Sequence, residues 1–269
     1  MFSQYQTEGF FDEMFSSPEG GSFEHYQEIE QVIASMSDDQ LREKQRHTES
    51  SFLEQGVTFT VYGDTDSGTE RIFPFDLIPR VIPSHEWTQI EDGLTQRIIA
   101  LNLFLTDIYH EGKILKDKII PEDVVKSAAH YCKQMENLKV PGDIYIHICG
   151  SDLIRDDKGN YLVLEDNGRC PSGASYLLEN REAMKRAFPK LYQSLGVRPV
   201  GSYPATLRKT LEFLSPRQTG TPVCVLLTPG LYNSAYFEHS FLAKQMGIEI
   251  VEGRDLIATD GYVLSLIHI

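Results

Sequence analysis

The sequence contains no long apolar run, no run of basic residues and no closely spaced cysteines. A membrane-spanning helix needs about 20 consecutive apolar residues, so none is predicted. The acidic start MFSQYQTEGFFDEMF does not predict a signal peptide. A net charge of -14 without a basic stripe argues against a nucleic-acid-binding surface. These absences favour a protein without membrane or nucleic-acid partners.

The cysteines are few and lie far apart, and none belongs to a CxxC motif. Thiols of this kind are expected to stay reduced, which predicts a cytoplasmic protein. The cysteines are Cys132, Cys149, Cys170 and Cys224.

What is present is an ordinary globular composition, 41% hydrophobic and 24% charged. At 269 residues the chain can bury a sizeable core as one large domain or two small ones. Apolar periodicity and capping signals predict helices over 23–55 with a new start near residue 37, 91–110, 121–138, 175–194, 202–214 and 235–246. Apolar alternation and short apolar runs predict strands over 56–64, 72–75, 160–167, 222–227 and 248–251, with a final hairpin turn at Asp260 and Gly261.

The order of these elements predicts an α/β fold. Residues 1–55 would form an irregular arm and helices, and residues 56–214 an α+β domain containing a β-hairpin. A polar linker at 215–221 would then lead into a further α/β domain that begins at 222 and runs to 269. Its strand–helix–strand order predicts a βαβ unit with parallel strands.

A candidate metal site lies at the end of strand 160–167. Period-two alternation puts Leu162 and Leu164 on one face, and Glu165 and Asn167 together on the other with Tyr161 and Val163. A carboxylate and an amide oxygen two residues apart suit a divalent cation that keeps positions for water and phosphate. Mg²⁺ carried on a nucleotide fits that description.

The position of Asp152 depends on the hairpin turn. If Lys158 and Gly159 form a two-residue loop, Asp152 lies opposite Glu165. If Gly159 closes a three-residue loop with a bulge, the register shifts by one residue and Asp152 faces away. A bulge at Gly150 could also change the phase of the first strand. That strand is otherwise expected to bury Ile144, Ile146 and Ile148.

The loop after the hairpin is a candidate anion site. Ser172 and Gly173 precede a predicted helix start, where free backbone amides can hold phosphate, and Arg169 supplies a fork-shaped cation. An acidic strand end followed by a Gly/Pro/Ser loop is equally typical of a solvated turn with a helix cap. The residues alone leave both interpretations open.

Candidate substrate-binding residues lie outside this loop. The proline-punctuated run 73–83 holds Arg80 in extended chain, where it could bind a carboxylate or phosphate, or form a structural ion pair with Asp76 or another acid. Arg181 lies on the first turns of the helix after the site. The loop 228–234 follows a buried strand at the end where ligands favour α/β sheets. Its Tyr232 and Asn233, with Glu238 beyond the loop, could orient an amino or peptide substrate.

The run GSDLIRDDKGNYLVLEDNGRCPSG resembles the metal-binding hairpin of ATP-grasp carboxylate–amine ligases, in which an acidic residue precedes a turn and Glu-x-Asn ends the next strand. More closely, the chain resembles circularly permuted ATP-grasp proteins of type 2, the group similar to glutathionylspermidine synthetase and eukaryotic glutathione synthetase. The resemblance covers nearly everything from Gly56 onward, in the runs GVTFTVYGD, FPFDLIPRVIP, GLTQRIIALNLFLTDIYH, SYLLENR and LTPGLYNSAYFEHSFLA.

The resemblance implies an enzyme that uses ATP and Mg²⁺ to join a small-molecule or peptide carboxylate to an amine through an acyl phosphate, in peptide synthesis or modification. Roles carried over from it are Mg²⁺ ligation by Glu165 and Asn167 with help from Asp152, phosphoryl stabilisation by Arg169, phosphate or substrate contacts by Ser172 and Gly173, and substrate binding by Arg80, Arg181, Tyr232 and Asn233.

The chain departs from the glutathionylspermidine-like pattern at one position. Gly150, Ser151 and Asp152 include no arginine where those relatives have one just before the first-strand aspartate. Arg155 or Arg169 would substitute, or the substrate differs. Members of the resembled group are also longer, with nucleotide-gripping lysines and a further metal carboxylate later in the sequence. The expectation is therefore an incomplete ATP-grasp fold, truncated at its C-terminal end.

Two other classes of function remain open at this point. An inactive peptide-binding or scaffold module would retain metal affinity without turning over nucleotide. A metal-dependent phosphohydrolase would use the same oxygen ligands and arginine to release phosphate without any amine.

Overall fold

The computed structural model describes residues 2, 5, 10–16, 21–61, 69–216 and 220–268. The helices are α1 (Gln27–Ala34), α2 (Asp38–Gln55), α3 (Ser84–Tyr109), α4 (Lys113–Lys116), α5 (Glu122–Lys126), α6 (Ala174–Ala187), α7 (Pro189–Ser194), α8 (Tyr203–Phe213) and α9 (Tyr236–Met246). The strands are β1 (Thr58–Val61), β2 (Thr69–Ile72), β3 (Gly150–Arg155), β4 (Tyr161–Asn167), β5 (Val225–Leu227), β6 (Glu249–Val251), β7 (Leu256–Thr259) and β8 (Tyr262–Ser265). Parts of the predicted arm, of the strand at 56–64 and of the linker at 215–221 lie outside the described residues.

The helix break predicted near residue 37 is confirmed. The Ser37 hydroxyl accepts a hydrogen bond from the Gln40 amide at 3.3 Å, and the Gln40 side chain accepts one from the Ser37 amide at 2.9 Å. This reciprocal capping box satisfies amide donors at the start of α2. Helix α2 ends at Gly56, which adopts the left-handed conformation favoured by glycine.

Two predictions for the middle of the chain are wrong. The helix expected over 121–138 is present only as the single turn of α5, followed by turns and a short 3₁₀ segment. The first hairpin strand begins at Gly150, so Ile144, Ile146 and Ile148 do not form the buried face of a strand. Ile144 is instead exposed.

The chain divides into two compact units. Unit 1 contains Met1–Thr7, Asp12–Val81 and Ser172–Ile269, and unit 2 contains Glu8–Phe11 and Ile82–Pro171. The functional domains predicted at 1–55, 56–214 and 222–269 are a different kind of division and stay a prediction.

The apolar core of unit 1 joins elements that are distant in sequence. Ile29 and Ile33 of α1 pack with Leu77, Phe188 and Leu191. A second cluster is centred on Phe52, Val57 and Ala183, with Tyr176 and Phe237 packed against it. Burying large side chains of this kind contributes about 1.5–3 kcal/mol each.

The βαβ unit predicted for the last part of the chain is confirmed. Strands β5 and β6 are parallel, with Val225 paired to Glu249, and α9 connects them. Strands β7 and β8 form an antiparallel hairpin that turns at Asp260 and Gly261, both with positive φ. This turn is also as predicted.

Unit 2 is built from α3 and the β3–β4 hairpin. Helix α3 spans 26 residues, yet Ile90 and Tyr109 are its only buried residues. The apolar side chains at helical spacing along α3 are half-buried, namely Leu94, Ile98, Leu101, Leu105 and Ile108. A groove of about 470 Å³ lies between α3 and the hairpin, and ion pairs of Glu86 with Arg155 and Arg97 with Asp166 link the two elements.

We expect Gly159→Ala to lower the free energy of unfolding by more than the roughly 1–2 kcal/mol of left-handed backbone strain. Gly159 has φ +84°, and an added Cβ would lie 2.6 Å from the ring of Phe11. Urea titration measures the change.

Gly93→Ala is the matched control within the same unit. Gly93 lies in α3 with no atom near an added Cβ, so alanine should raise the free energy of unfolding by about 0.5–1 kcal/mol. Equal effects of the two substitutions would contradict this account of Gly159.

Candidate functional site

Of the two turn alternatives that the sequence left open, the hairpin has the three-residue loop of one and the Asp152–Glu165 pairing of the other. Gly159 has positive φ, and the Asp156 amide donates to the Asn160 carbonyl at 3.0 Å, which leaves a three-residue loop between them. Leu153 then pairs with Val163, but Asp152 pairs with Glu165, so Leu164 is an extra residue in β4. This bulge reverses the shift made by the loop and brings Asp152 opposite Glu165.

The bulge also changes which face of the hairpin each side chain occupies. Tyr161 and Val163 are half-buried towards α3, whereas Leu164 and Glu165 are both exposed in succession. The prediction that Glu165 and Asn167 share a face with Tyr161 and Val163 is therefore wrong, because an uninterrupted period of two does not survive a bulge.

The candidate metal ligands nevertheless lie together on the exposed face. The Asn167 side-chain amide donates to the Glu165 carboxylate at 3.2 Å, and Asp152 lies directly across from Glu165. These side chains offer hard oxygen atoms of the kind that bind Mg²⁺ together with water and phosphate. In the described part of the chain, no group of three His, Cys, Asp or Glu side chains could hold a metal ion. The candidate donor set consists of the carboxylates of Asp152 and Glu165 and the side-chain amide oxygen of Asn167.

Asp166 is a residue that sequence reasoning missed. It lies between Glu165 and Asn167 but faces the other way, with only 11% of its side chain exposed. Its carboxylate accepts hydrogen bonds from Ser151 Oγ at 2.7 Å and from Arg97 Nε at 2.6 Å. The Ser151 hydrogen bond, reinforced by Arg97, lowers the pKa of Asp166 below its usual value. The sequence signal nearest to it is that its partner Arg97 lies in the run GLTQRIIALNLFLTDIYH, one of the runs that carry the resemblance.

A second ion pair attaches the turn end of the hairpin to α3. Arg155 Nη2 donates to Glu86 Oε1 at 2.8 Å, and the Tyr161 hydroxyl donates to Glu86 Oε2 at 3.0 Å. The guanidinium also lies 4.5 Å from the ring centroids of Phe11 and Tyr161. Because Arg155 is engaged in this way, Arg169 is the better candidate to substitute for the arginine that is absent from Gly150, Ser151 and Asp152.

Arg169 is exposed on the loop that leaves the hairpin. Its Nη1 lies 3.5 Å from Nδ1 of His130, a separation at the limit of a hydrogen bond. Gly150 and Pro171 meet at the base of this loop, where a Cβ on Gly150 would lie 2.7 Å from Pro171 Cβ. The loop therefore leaves the hairpin in close contact with the start of β3.

The predicted anion cradle at Ser172 and Gly173 is partly filled by the protein itself. Glu238 of α9 is buried, and its Oε2 accepts from the Gly173 amide at 2.7 Å and from Ser175 Oγ at 3.0 Å. A carboxylate at the start of α6 complements the positive end of the helix dipole. Ser172 is exposed and has no such contact described.

Two predicted substrate-binding arginines are engaged within unit 1. Arg80 forms the structural ion pair that the sequence left open, with Glu13 as the acid in place of Asp76. Arg181 Nη1 donates to the Arg198 carbonyl at 3.0 Å and lies 3.4 Å from the Tyr192 hydroxyl. A substrate would have to compete with these partners.

The loop after β5 is organised around the start of α9. Asn233 Oδ1 accepts from the Ala235 amide at 3.0 Å, so Asn233 helps to cap the helix. Tyr232 is 94% exposed. Thr228 Oγ1 accepts from the Gly230 amide and lies 2.9 Å from His239 Nδ1, to which its hydroxyl can donate. That arrangement suits a neutral ring, and burial lowers the pKa of His239.

The architecture and the site together define a class of protein. An acidic hairpin carries an exposed Asp/Glu/Asn donor set, a long helix supports it, and a parallel βαβ unit follows in the chain. Helices and several small sheets of this kind agree with an ATP-grasp type of fold at a coarse level.

The chain belongs to the circularly permuted ATP-grasp type 2 family, whose pattern it matches over residues 79–266. It is 49% identical to an uncharacterized protein of Synechocystis over 96% of its own length and 53% of the relative's. It is 45% identical to an uncharacterized protein of Mycobacterium tuberculosis, over 94% of this chain and 45% of that protein. A putative glutamate--cysteine ligase of Frankia casuarinae is 36% identical over 98% of this chain and 30% of the relative.

The chain therefore spans about half the length of the first two relatives named above. All four cysteines are free. Among the described residues, no helix is both long and apolar enough to cross a membrane.

We expect the neutral ring of His239 to make stability depend on pH. Its pKa in the folded state is lower than the roughly 6.5 of an unfolded histidine, so its contribution is present above that pH and is lost as pH falls. Relative to His239→Asn, the parent should lose stability between about pH 7 and pH 5. Urea unfolding at both pH values measures this.

His47→Gln provides the control, because His47 is exposed on α2 of the same unit. It shows what replacing an exposed ring does to the same measurement. An identical pH profile for the parent and His239→Asn would show that His239 is not held neutral.

Proposed function

We propose that this chain forms the nucleotide- and Mg²⁺-binding part of an ATP-dependent carboxylate–amine ligase, acting in peptide synthesis or modification. Its membership of the ATP-grasp family supports the use of ATP. The name of the Frankia relative, a putative glutamate--cysteine ligase, favours the ligase class. Free thiols at every cysteine favour a reducing compartment such as the cytoplasm.

The observation that carries the proposal is the pairing of Asp152 with Glu165. Like charges directly opposite each other on neighbouring strands destabilise a sheet. A hairpin gains no stability from such a pair unless a cation is bound between the carboxylates. With Asn167 on the same face, the pair has the donor types that Mg²⁺ prefers.

In the proposed reaction, ATP phosphorylates the substrate carboxylate to an acyl phosphate, and an amine then displaces phosphate to form an amide. Mg²⁺ would neutralise phosphate charge. Glu165 and Asn167 would hold the ion, Asp152 would add a third oxygen, and Arg169 would stabilise the transferred phosphoryl group. Such transfer depends on positioning and charge neutralisation more than on a strong base.

Several candidate residues of unit 1 are already bound to other groups of the protein. The Gly173 amide is bound to Glu238, so Ser172 is the stronger candidate for a phosphate or substrate contact. The proposed carboxylate and amine substrates would be bound by Arg80, Arg181, Tyr232 and Asn233 after displacement of the partners described above.

Titration calorimetry of MgATP into the chain tests the proposal without knowledge of the substrate. We expect saturable binding by the parent and a loss of roughly tenfold or more in affinity for the Glu165→Ala, Asn167→Ala double variant, because both proposed metal ligands are removed. Asp157→Ala is the matched control, since it also removes one exposed carboxylate, at the tip of the same hairpin.

Absence of MgATP binding by the parent, or equal binding by the double variant, would contradict the proposal. Binding of Mg²⁺ without nucleotide would favour the scaffold module. Release of phosphate from ATP without any amine would favour the phosphohydrolase.

A further inference from the structure

Consecutive residues at the end of β4 point in opposite directions. Glu165 and Asn167 are exposed, whereas Asp166 faces α3 with 11% of its side chain exposed. All three side chains could ligate a metal through oxygen, so their orientation decides which of them can do so. A register without the Leu164 bulge would turn Asp166 outwards and the other two inwards.

Arg97 is the group that favours the observed orientation. It is the cation bound to Asp166, and Ser151 of β3 donates to the other carboxylate oxygen. Facing α3 without these partners, Asp166 would be a nearly buried, unpaired charge, which is strongly unfavourable. The Ser151 hydrogen bond also links the two strands one residue before Asp152.

The apolar contribution to this orientation is small. Ile154, Leu162 and Leu164 of the hairpin are 45%, 47% and 66% exposed, and the groove of about 470 Å³ separates the other face from α3. Packing therefore provides little to fix the register. The polar bridges between the hairpin and α3, Arg97 to Asp166 and Glu86 to Arg155, are left to fix it.

The two bridges lie at opposite ends of the hairpin. Glu86 reaches Arg155 beside the turn, and Arg97 reaches Asp166 at the end that carries the candidate metal ligands. Only the second bridge involves a residue adjacent to those ligands. The orientation of Glu165 and Asn167 should thus depend on Arg97 far more than on Glu86.

We propose that Arg97 is a positioning residue of the metal site, which by binding Asp166 turns Glu165 and Asn167 towards the ion and keeps Asp166 away from it. The inference rests on the proposed function, because it assumes that those two side chains bind a divalent cation. It adds a residue of α3, 69 positions from its partner, to the determinants of that site.

Mn²⁺ binding followed by electron paramagnetic resonance tests this with the metal alone. We expect about tenfold weaker binding for both Arg97→Gln and Asp166→Asn, the effect typical of removing a group that orients metal ligands. The two substitutions change the local charge in opposite directions. If charge alone mattered, Arg97→Gln would bind Mn²⁺ more tightly than the parent and Asp166→Asn less tightly.

Two further variants separate positioning from general loosening of the hairpin. Glu86→Gln breaks the other bridge with the same change of charge as Asp166→Asn. Its Mn²⁺ affinity should stay within about twofold of that of the parent, well below the tenfold effect expected at the site. The double variant Arg97→Asp, Asp166→Arg restores an ion pair and should recover most of the affinity that Arg97→Gln loses.

The outcomes distinguish this inference from the proposed function. If the parent does not bind Mn²⁺, the metal site and the inference fall together. If the parent binds and Arg97→Gln binds as tightly or more tightly, the inference alone is wrong. A loss of Mn²⁺ affinity for Glu86→Gln as large as that for Arg97→Gln would also overturn the inference, because the effect would then not be specific to the metal site.

Discussion

Strand β4 contains one residue, Leu164, that has no pairing partner in β3. The position of the candidate site depends on that residue. The three-residue turn at Gly159 would set Asp152 opposite Leu164 if pairing continued without interruption. The bulge at Leu164 shifts the register back and leaves Asp152 opposite Glu165. It also exposes Glu165, which regular alternation would have turned towards α3. A local irregularity thus converts part of a packed strand into a surface with oxygen donors.

The hairpin is attached to α3 mainly through polar groups. Unit 2 has few buried apolar side chains among its described residues, and charged side chains bridge the groove between helix and hairpin. Arg97 with Asp166 and Glu86 with Arg155 place opposite charges at the two ends. Partly buried pairs of this kind specify geometry better than they add stability.

Local signals allowed much of the fold to be predicted. The Ser37 capping box, the apolar stripe of α3 and the βαβ pattern of α9 and its strands depend on neighbouring residues, and each is found. The bulge at Leu164 could not be predicted, because the turn alone allowed two registers and Arg97, the partner of Asp166 beside the bulge, lies 69 residues away in sequence. The same limit applies to Arg80, because the sequence left its acidic partner open and the partner is the distant Glu13. Short-range periodicity also overestimated the length of the helix after Pro121, because only a single turn is present.

The central claim is that the bulged hairpin presents Glu165 and Asn167, and not Asp166, to a divalent cation. A crystal structure of the protein with Mg²⁺ and a non-hydrolysable ATP analogue tests it most directly. We expect an ion about 2.0–2.1 Å from oxygen atoms of Glu165 and Asn167, with Asp152, phosphate and water completing six ligands and Asp166 still bound to Arg97. An ion ligated by Asp166, or a nucleotide bound away from this face of the hairpin, would contradict it.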